Sequence, residues 1–479
     1  MNRYLILLLV SCTVITLRAQ LPVQFNHTYG TFSYNYGISV YQEPDTGYVI
    51  LTNVSGNQGN NNVQLFKISK TGAYVWSQLY ADSALFRAEG FCRTPDKGYL
   101  ITGSTNINQE DGYGIFVYKT DSLGHKEWSQ NYGGEDWDLG AAVATCNDGN
   151  YVVCGNTYSY GNGQSDIYIL KINTQGDTLW TRTFGGTDED MATSINICSN
   201  GDILIAGHTL SYGQGGYDAL LLRFDNDGNY KWHQTYGGSG DEQIHGVRER
   251  FGSDIIMGGY TSSYGMGGDD FYLIFADSLG NEIWHKADGG PDNEQAFALE
   301  LTADSGYALC GLTAGPGYKD MYFYKMKPDG QWHYSTSHGS VYDDYARCIR
   351  QTYDSGYIIV GSTSSYGGCL SNVYVVKTDI TGMSTPYNGI FKTPDKENNL
   401  ISVYPNPFHD NFTVQVHEAK PTHGVLIISN MLGQEILRYA IKPGEKIFSV
   451  KPENLPPGLY QYHWFSEGVV KASGKMVAY

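Results

Sequence analysis

The sequence predicts an all-β fold, a seven-bladed β-propeller followed by a small C-terminal β-sandwich, and three observations carry that prediction. A Trp-initiated segment recurs at Trp76, Trp128, Trp180, Trp232, Trp284 and Trp332, at intervals of 52, 52, 52, 52 and 48 residues. Self-similarity at one fixed period marks a repeat architecture. The composition, with 59 Gly, 40 Tyr and only 17% charged residues, suits strands joined by tight turns. Past the first twenty residues no long apolar pattern runs at helical spacing.

One module can be written out from Asp190 to Gly238. The alternating run MATSINICS reaches an Asn200-Gly201 turn, and DILIAGHTLS follows. A Gly-rich loop (YGQGGYD), the run ALLLRFD, a turn at Asn226-Asp227-Gly228 and the Trp232 segment WHQTYGG complete it. Short runs punctuated by Gly, Asn and Asp are antiparallel strands, so each module is a four-stranded meander. Third strands number seven, at 63–67, 115–119, 167–171, 219–223, 271–275, 321–325 and 373–377, whereas the Trp-type fourth strands number six. The segment Phe25-Asn26-His27-Thr28-Tyr29-Gly30 matches the Trp232 motif with Phe in place of Trp. We therefore expect residues 20–383 to form the propeller, with strand 23–30 completing the last sheet. Closure has a motive, because an open ring would leave the faces of both end sheets uncovered. Each Trp is expected to plug the gap between blades, which contributes roughly 2–3 kcal/mol per ring.

The Asp-x-x-Gly turns that lead into the Trp strands, such as Asp121-Ser122-Leu123-Gly124, resemble those of the tandem-repeat propellers related to the quinoprotein and tryptophan-aspartate-repeat families. The resemblance covers residues 23 to about 383. The sequence departs from the quinoprotein pattern in lacking a vicinal Cys pair and a cofactor ligand set, and the tryptophan-aspartate dipeptide is absent from its expected place.

Residues 384–400 read as a polar, Pro-containing linker. After it, Tyr404-Pro405-Asn406-Pro407, Met431-Leu432-Gly433-Gln434, Leu455-Pro456-Pro457-Gly458-Leu459-Tyr460 and a closing GVVKASGKMVAY punctuate a different strand pattern. Alternating strands over about 80 residues suggest a small β-sandwich. These blocks, in this order, closely resemble the type A sorting domain of the type IX secretion system of Bacteroidetes. The resemblance implies a secreted or outer-surface protein whose residues 401–479 are recognised by that machinery, then removed, with the remainder anchored or released. An adhesive or carbohydrate-binding sandwich is the alternative for this segment.

Residues 1–19 have a basic residue at Arg3, an apolar core and a small-residue end at Ala19, which reads as a signal peptide too short to span a membrane. A lipoprotein box at Leu9-Val10-Ser11-Cys12 is the competing reading. The formal net charge of −18 argues against a nucleic-acid partner and against docking on anionic lipid. Cleavage would leave Cys92, Cys146, Cys154, Cys198, Cys310, Cys348 and Cys369, an odd set without tight spacing, which reads as buried thiols rather than a disulfide framework.

The meander sends the fourth-to-first and second-to-third connections to one face. There an acid follows each Gly-Gly or its counterpart: Asp138, Asp190, Glu242, Glu294 and Asp344, with second acids at Asp136, Asp188, Asp241, Asp292 and Asp343. Carboxylates gathered at a channel rim would capture a cation or a basic or polyhydroxyl ligand. Calcium is the one metal such a set suggests, and no other cofactor is implied. Repetition would equally arise if each acid capped N–H groups in its own loop. The same face carries Tyr160, Tyr212, Tyr264 and Tyr366, whose rings suit sugar or peptide recognition or pack back on the blade. His208 and His245 are each unique to one blade and are the candidates for a general base or metal ligand.

No GxSxG elbow, HExxH helix or phosphate loop is present. Because the acids repeat, the sequence tilts toward a non-catalytic propeller binding a glycan, peptide or protein. A secreted polysaccharide hydrolase or lyase using the channel-face carboxylates is one alternative, and a structural or adhesive surface component is the other.

Overall fold

Period-two alternation becomes β-structure throughout, and every regular element among the described residues is a strand. The structure, a computed structural model, describes residues 23–30, 34–55, 61–81, 86–106, 112–250, 252–314, 318–367, 371–385, 401–404, 411–416, 424–430, 435–452, 456, 458–466 and 469–478. The expected leader, Cys12, Cys369, nearly all of the linker, residues 405–408 and the turn at 431–434 lie outside the described residues.

Seven four-stranded antiparallel sheets form the propeller. Blade one joins Asn35–Gln42, Tyr48–Ser55, Asn61–Ile68 and Tyr74–Tyr80 as neighbours in chain order. The same order repeats in the sheets that begin at Phe86, Asp138, Asp190, Glu242 and Glu294. The seventh sheet takes Asp344–Gln351, Tyr357–Thr363 and Asn372–Thr378, and its outermost strand is Phe25–Tyr29. Phe25 stands opposite Lys377, the register in which Trp76 stands opposite Lys67 and Trp180 opposite Lys171. The innermost strands pack in sequence around the axis, and Asn35–Gln42 touches both Phe86–Arg93 and Asp344–Gln351, so the ring has no open end.

One contact repeats across the blade junctions. Tyr80, Tyr132 and Tyr236 donate their hydroxyls to the carbonyls of Gly124, Gly176 and Gly280 in the next blade, each at 2.6 Å, and Tyr29 makes the same bond to Gly72 across the closing junction. These turn glycines have positive φ, and the Trp of the preceding blade packs against them, with Phe25 and His27 in that role at Gly72. At Gly228, with φ of 77°, an added Cβ would lie 2.8 Å from the Trp180 ring. The tryptophans thus wedge between blades at the outer edge. Blade six departs from the sequence assignment: Tyr334, not Trp332, pairs with Lys325, and Trp332 is 54% exposed. The turn after Lys325 keeps the length it has in the other blades, so the register position falls on Tyr334 and the Trp stands two residues before it.

The second and third strands are buried along their length, as in Tyr151–Thr157 and Asp166–Ile172, because neighbouring blades cover both faces. Cys146, Cys154, Cys198, Cys310 and Cys348 are free thiols within this packing, and Cys92 is half-buried. Burial raises the thiols of Cys146, Cys154 and Cys198 to about 12, so they are inert fillers.

The C-terminal unit is a sandwich of a three-stranded sheet (Ile401–Tyr404, Phe412–Val416, Ile447–Val450) and a four-stranded one built on Gly424–Asn430 and Gly458–Ser466. Phe412 and Val414 from the first sheet share one core with Leu426, Ile428, Trp464 and Met476 from the second.

Candidate functional site

Each blade-linking loop folds around the acid that starts the innermost strand, because a carboxylate there meets N–H groups that no strand can pair. Asp190 is fully buried. Its Oδ2 accepts the Gly186 N–H at 2.8 Å and the Ser211 hydroxyl at 2.7 Å, while Oδ1 accepts the Thr209 hydroxyl. Thr209 Oγ1 in turn accepts the N–H groups of Ser211 and Tyr212 at 3.0 and 3.1 Å. Asp138 and Asp344 repeat the pattern through Gly134 and Ser159 and through Ser340 and Ser365. Glu242 and Glu294, one methylene longer, take Gly238 and Thr261 and Gly290 and Thr313.

The loop tyrosines close the same latch. Tyr160, Tyr212, Tyr264 and Tyr366 donate to the carbonyls of Gly133, Gly185, Gly237 and Gly339 at 3.0, 2.9, 2.9 and 2.6 Å. The structure therefore places all five acids inside their loops rather than on the channel surface, and lays the four tyrosine hydroxyls against the loop backbone. Of the second acids, Asp241 and Asp343 accept backbone N–H groups of Tyr217 and Lys319 at 2.9 and 3.0 Å, and Asp136, Asp188 and Asp292 are exposed.

A partner set went unread in the sequence. Asp166, Asp218 and Asp270 start their third strands, Asp320 is the second residue of its own, and all four approach the same glycine as the first-strand acid: a Cβ on Gly237 would lie 2.2 Å from Asp218 and 2.3 Å from Glu242. Burial and the neighbouring Glu242 push the Asp218 carboxyl up to about 6, and burial with Glu294 does the same for Asp270. No Cβ fits between the two carboxyls, which is why the first glycine of the Gly-Gly pair recurs.

The channel itself is shaped by a different feature. In every innermost strand the register slips by one residue: Gly140 faces Gly155 and Ala142 faces Cys154, so Ala141 has no partner. The same bulge falls at Ile38, Glu89, Thr193, His245, Phe297 and Arg347. A bulge bends the strand and re-aims the extra side chain. Here all seven line one cavity of about 600 Å³ on the ring axis, together with Arg87, Ser104, Tyr113, Trp137 and Asn156. None of the nine latch acids and tyrosines lines it.

Around the ring the chemistry changes from residue to residue. Arg87 Nε pairs with Glu89 Oε1 at 2.6 Å. The Arg347 guanidinium lies over the Phe297 ring at 5.1 Å, Phe297 meets His245 edge-on at 5.5 Å, and His245 stacks on Tyr260 at 5.7 Å. Thr193 Oγ1 lies 3.1 Å from the Ala206 carbonyl and 2.5 Å from the Ile244 carbonyl of the next blade. At the mouth Tyr113 and Trp137 meet at 5.2 Å, and Trp137 is 48% exposed. Asn156 and Asn53 hold the bulges from behind, accepting the Ala192 and Ala88 N–H groups at 2.8 and 2.9 Å.

Of the two histidines singled out by sequence, only His245 reaches the cavity. Burial, with smaller contributions from His208 and Arg347, depresses it to about 3, and its Nε2 is shielded with no hydrogen-bond partner among the described residues. His208 packs against Tyr217 at 5.0 Å and is depressed by burial to about 4. Both rings are neutral near pH 7. Among the described residues no group of three His, Cys, Asp or Glu side chains is placed to hold a metal ion.

Comparison with known proteins adds the route the chain takes. Residues 402–478 match the secretion system C-terminal sorting domain, and residues 146–178 and 198–229 match a β-propeller domain of unknown function, DUF5122. The chain is an exported propeller protein. Its tail addresses it to the type IX secretion machinery, and it ends outside the cell or on the outer surface. No helix among the described residues is long and apolar enough to cross a membrane. The exported propeller is similar to the regulatory protein FlaEY of Caulobacter vibrioides, with 26% identity over 199 residues, which cover 36% of this chain and 21% of that relative. The match thus spans about a fifth of FlaEY. A puromycin hydrolase structure matches 81% of this chain and 58% of its own at 12% identity and a TM-score of 0.50, a likeness of fold alone. A fungal alcohol oxidase in complex with copper aligns over 95% of this chain and 99% of its own at 12% identity and a TM-score of 0.45.

Proposed function

We propose that this exported propeller is a non-catalytic receptor for a short saccharide, taken into the axial cavity over Trp137 and Tyr113 and read by the bulge ring. One observation carries the reading. Seven structurally equivalent positions, held by the same bulge in every blade, bear seven different side chains, while the latch around them is repeated. A scaffold needs its positions alike, and recognition needs them different. A cavity of about 600 Å³ lies within the range of small-ligand pockets. An indole and a phenol at the mouth offer flat faces for a sugar ring, and Arg87, Glu89, Ser104, Asn156 and Arg347 supply directional polar contacts.

The lining argues for binding over hydrolysis. Glycoside cleavage uses two carboxyls across the scissile bond, and among the described residues of the lining the only carboxylate is Glu89, which is paired with Arg87. His245, depressed to about 3, is too weak a base for chemistry near neutrality.

The test is an oligosaccharide array probed with the purified full chain and with Arg347→Ala and Trp137→Ala. A hit retained by Tyr212→Phe but lost in both cavity variants supports the reading. Release of reducing ends from the bound sugar would replace it with catalysis, and a hit indifferent to both cavity substitutions would move the site elsewhere.

A further inference from the structure

The same innermost strands that present the bulge ring also line the opposite end of the axis, two to four residues further on. There a second cavity of about 520 Å³ gathers Arg93 from blade two, Arg248 from blade five, Glu300 from blade six and Arg350 from blade seven. Its other walls, among them Val40, Phe91 and Pro95, carry no charge. Glu300 is shared: Arg350 Nη1 lies 3.3 Å from its Oε2 and Arg248 Nη2 lies 3.9 Å from the same atom. Arg93 is held by Glu43, which also accepts the Tyr99 hydroxyl at 2.7 Å. One carboxylate therefore serves two guanidiniums, and the cluster carries one positive charge in excess.

That excess stands against the rest of the chain. The formal net charge is −18, with 49 acids to 31 Lys and Arg, yet the two axial cavities are lined by five arginines and two glutamates. The guanidinium fork is built for planar oxyanions, and low-dielectric walls strengthen its hold. An acidic exterior around a basic axis also repels anions everywhere except at the channel ends.

We infer that the mouth opposite the bulge ring is a separate oxyanion-binding site, with Arg248 and Arg350 as its ligands and Glu300 as the internal competitor an anion displaces. The group it takes is a carboxylate, sulfate or phosphate, free or carried on a larger molecule. Nothing in the inference requires a sugar in the first cavity.

Titration calorimetry on the full chain at fixed ionic strength checks it, with inorganic sulfate, inorganic phosphate and a short oligogalacturonate as probes. Saturable binding of at least one inorganic anion is expected. Arg350→Gln should weaken it at least tenfold, and Glu300→Gln, which removes the competitor, should tighten it several-fold. Trp137→Ala should leave it unchanged. Sulfate or phosphate binding identifies a site for the free ion, and oligogalacturonate binding that tightens in Glu300→Gln identifies one for a carried carboxylate. The inference is overturned if no probe binds, if Glu300→Gln and Arg350→Gln both weaken binding, or if all binding disappears with Trp137→Ala.

Discussion

The blade-linking latches, present in five blades, and the bulge ring lie three residues apart on the same innermost strands, yet they obey opposite rules. Each latch spends its carboxylate on its own loop, four of the five add a tyrosine hydroxyl on the loop backbone, and the pattern is nearly identical from one of these blades to the next. Each bulge keeps its backbone geometry and changes its side chain. Repetition across blades therefore marks what builds the ring, and divergence at a geometrically fixed place marks what the ring is for.

The contrast can be broken most forcefully at a latch. Asp190→Ala strands the Gly186 N–H and two hydroxyls, and with buried unsatisfied groups costing about 1–3 kcal/mol each it should destabilise the propeller by roughly 3 kcal/mol. Denaturant unfolding reads the loss, and ligand selectivity in the surviving folded fraction should be unchanged. Arg347→Ala is the converse. Losing a charge-assisted contact should weaken ligand binding roughly tenfold to a hundredfold while the unfolding midpoint barely moves. A variant that unfolds early but binds normally would place Arg347 with the scaffold. Trp137→Ala should cost about tenfold in affinity and little stability, since the residue is 48% exposed and its ring meets Tyr113 edge-on.

Acid reaches both the buried imidazoles and the paired carboxyls. His208, His245 and His338 are depressed by burial to about 4, 3 and 4, below their unfolded value. The unfolded chain binds protons first, so their contribution to stability is intact above about pH 6.5 and is lost as pH falls toward 4. His245→Phe should flatten the pH dependence of the unfolding midpoint between those limits, and an unchanged slope would show that His245 titrates freely. The carboxyl pairs act in the other direction. Asp218, raised to about 6, holds its proton in the folded state, so its stability contribution is largest below its unfolded value and declines as pH rises through 6. Asp218→Asn should raise the melting temperature by about 2–4 °C at pH 8, with the gain fading toward pH 4. Blade seven already carries the amide at this place, where Asn372 donates to the Tyr366 carbonyl at 3.1 Å.

Much of the scaffold was legible because its signals are local. The Trp spacing, the Asp-x-x-Gly turns and the alternation within MATSINICS each report on a few neighbouring residues, and they compose into blades without further information. Trp332 misled because this blade carries its Trp two residues before the register position, where Tyr334 stands against Lys325. At the candidate site the sequence singled out the repeating acids and tyrosines, and His245 among the rest. Repetition draws the eye, and the bulge residues Ile38, Glu89, Ala141, Thr193, His245, Phe297 and Arg347 look like noise between matching columns. Aligning the modules and asking which column disagrees would have found them.

By itself the sequence determined the repeat, the all-β class and the sorting tail, since hydrophobic period, turn chemistry and a contiguous motif are properties of the chain as written. Which side chains meet on the axis was decided only in three dimensions. A bulge adds one residue to a period-two pattern and turns it through an angle that alternation cannot encode, and wrapping seven sheets brings residues as far apart as 38 and 347 to the walls of one cavity.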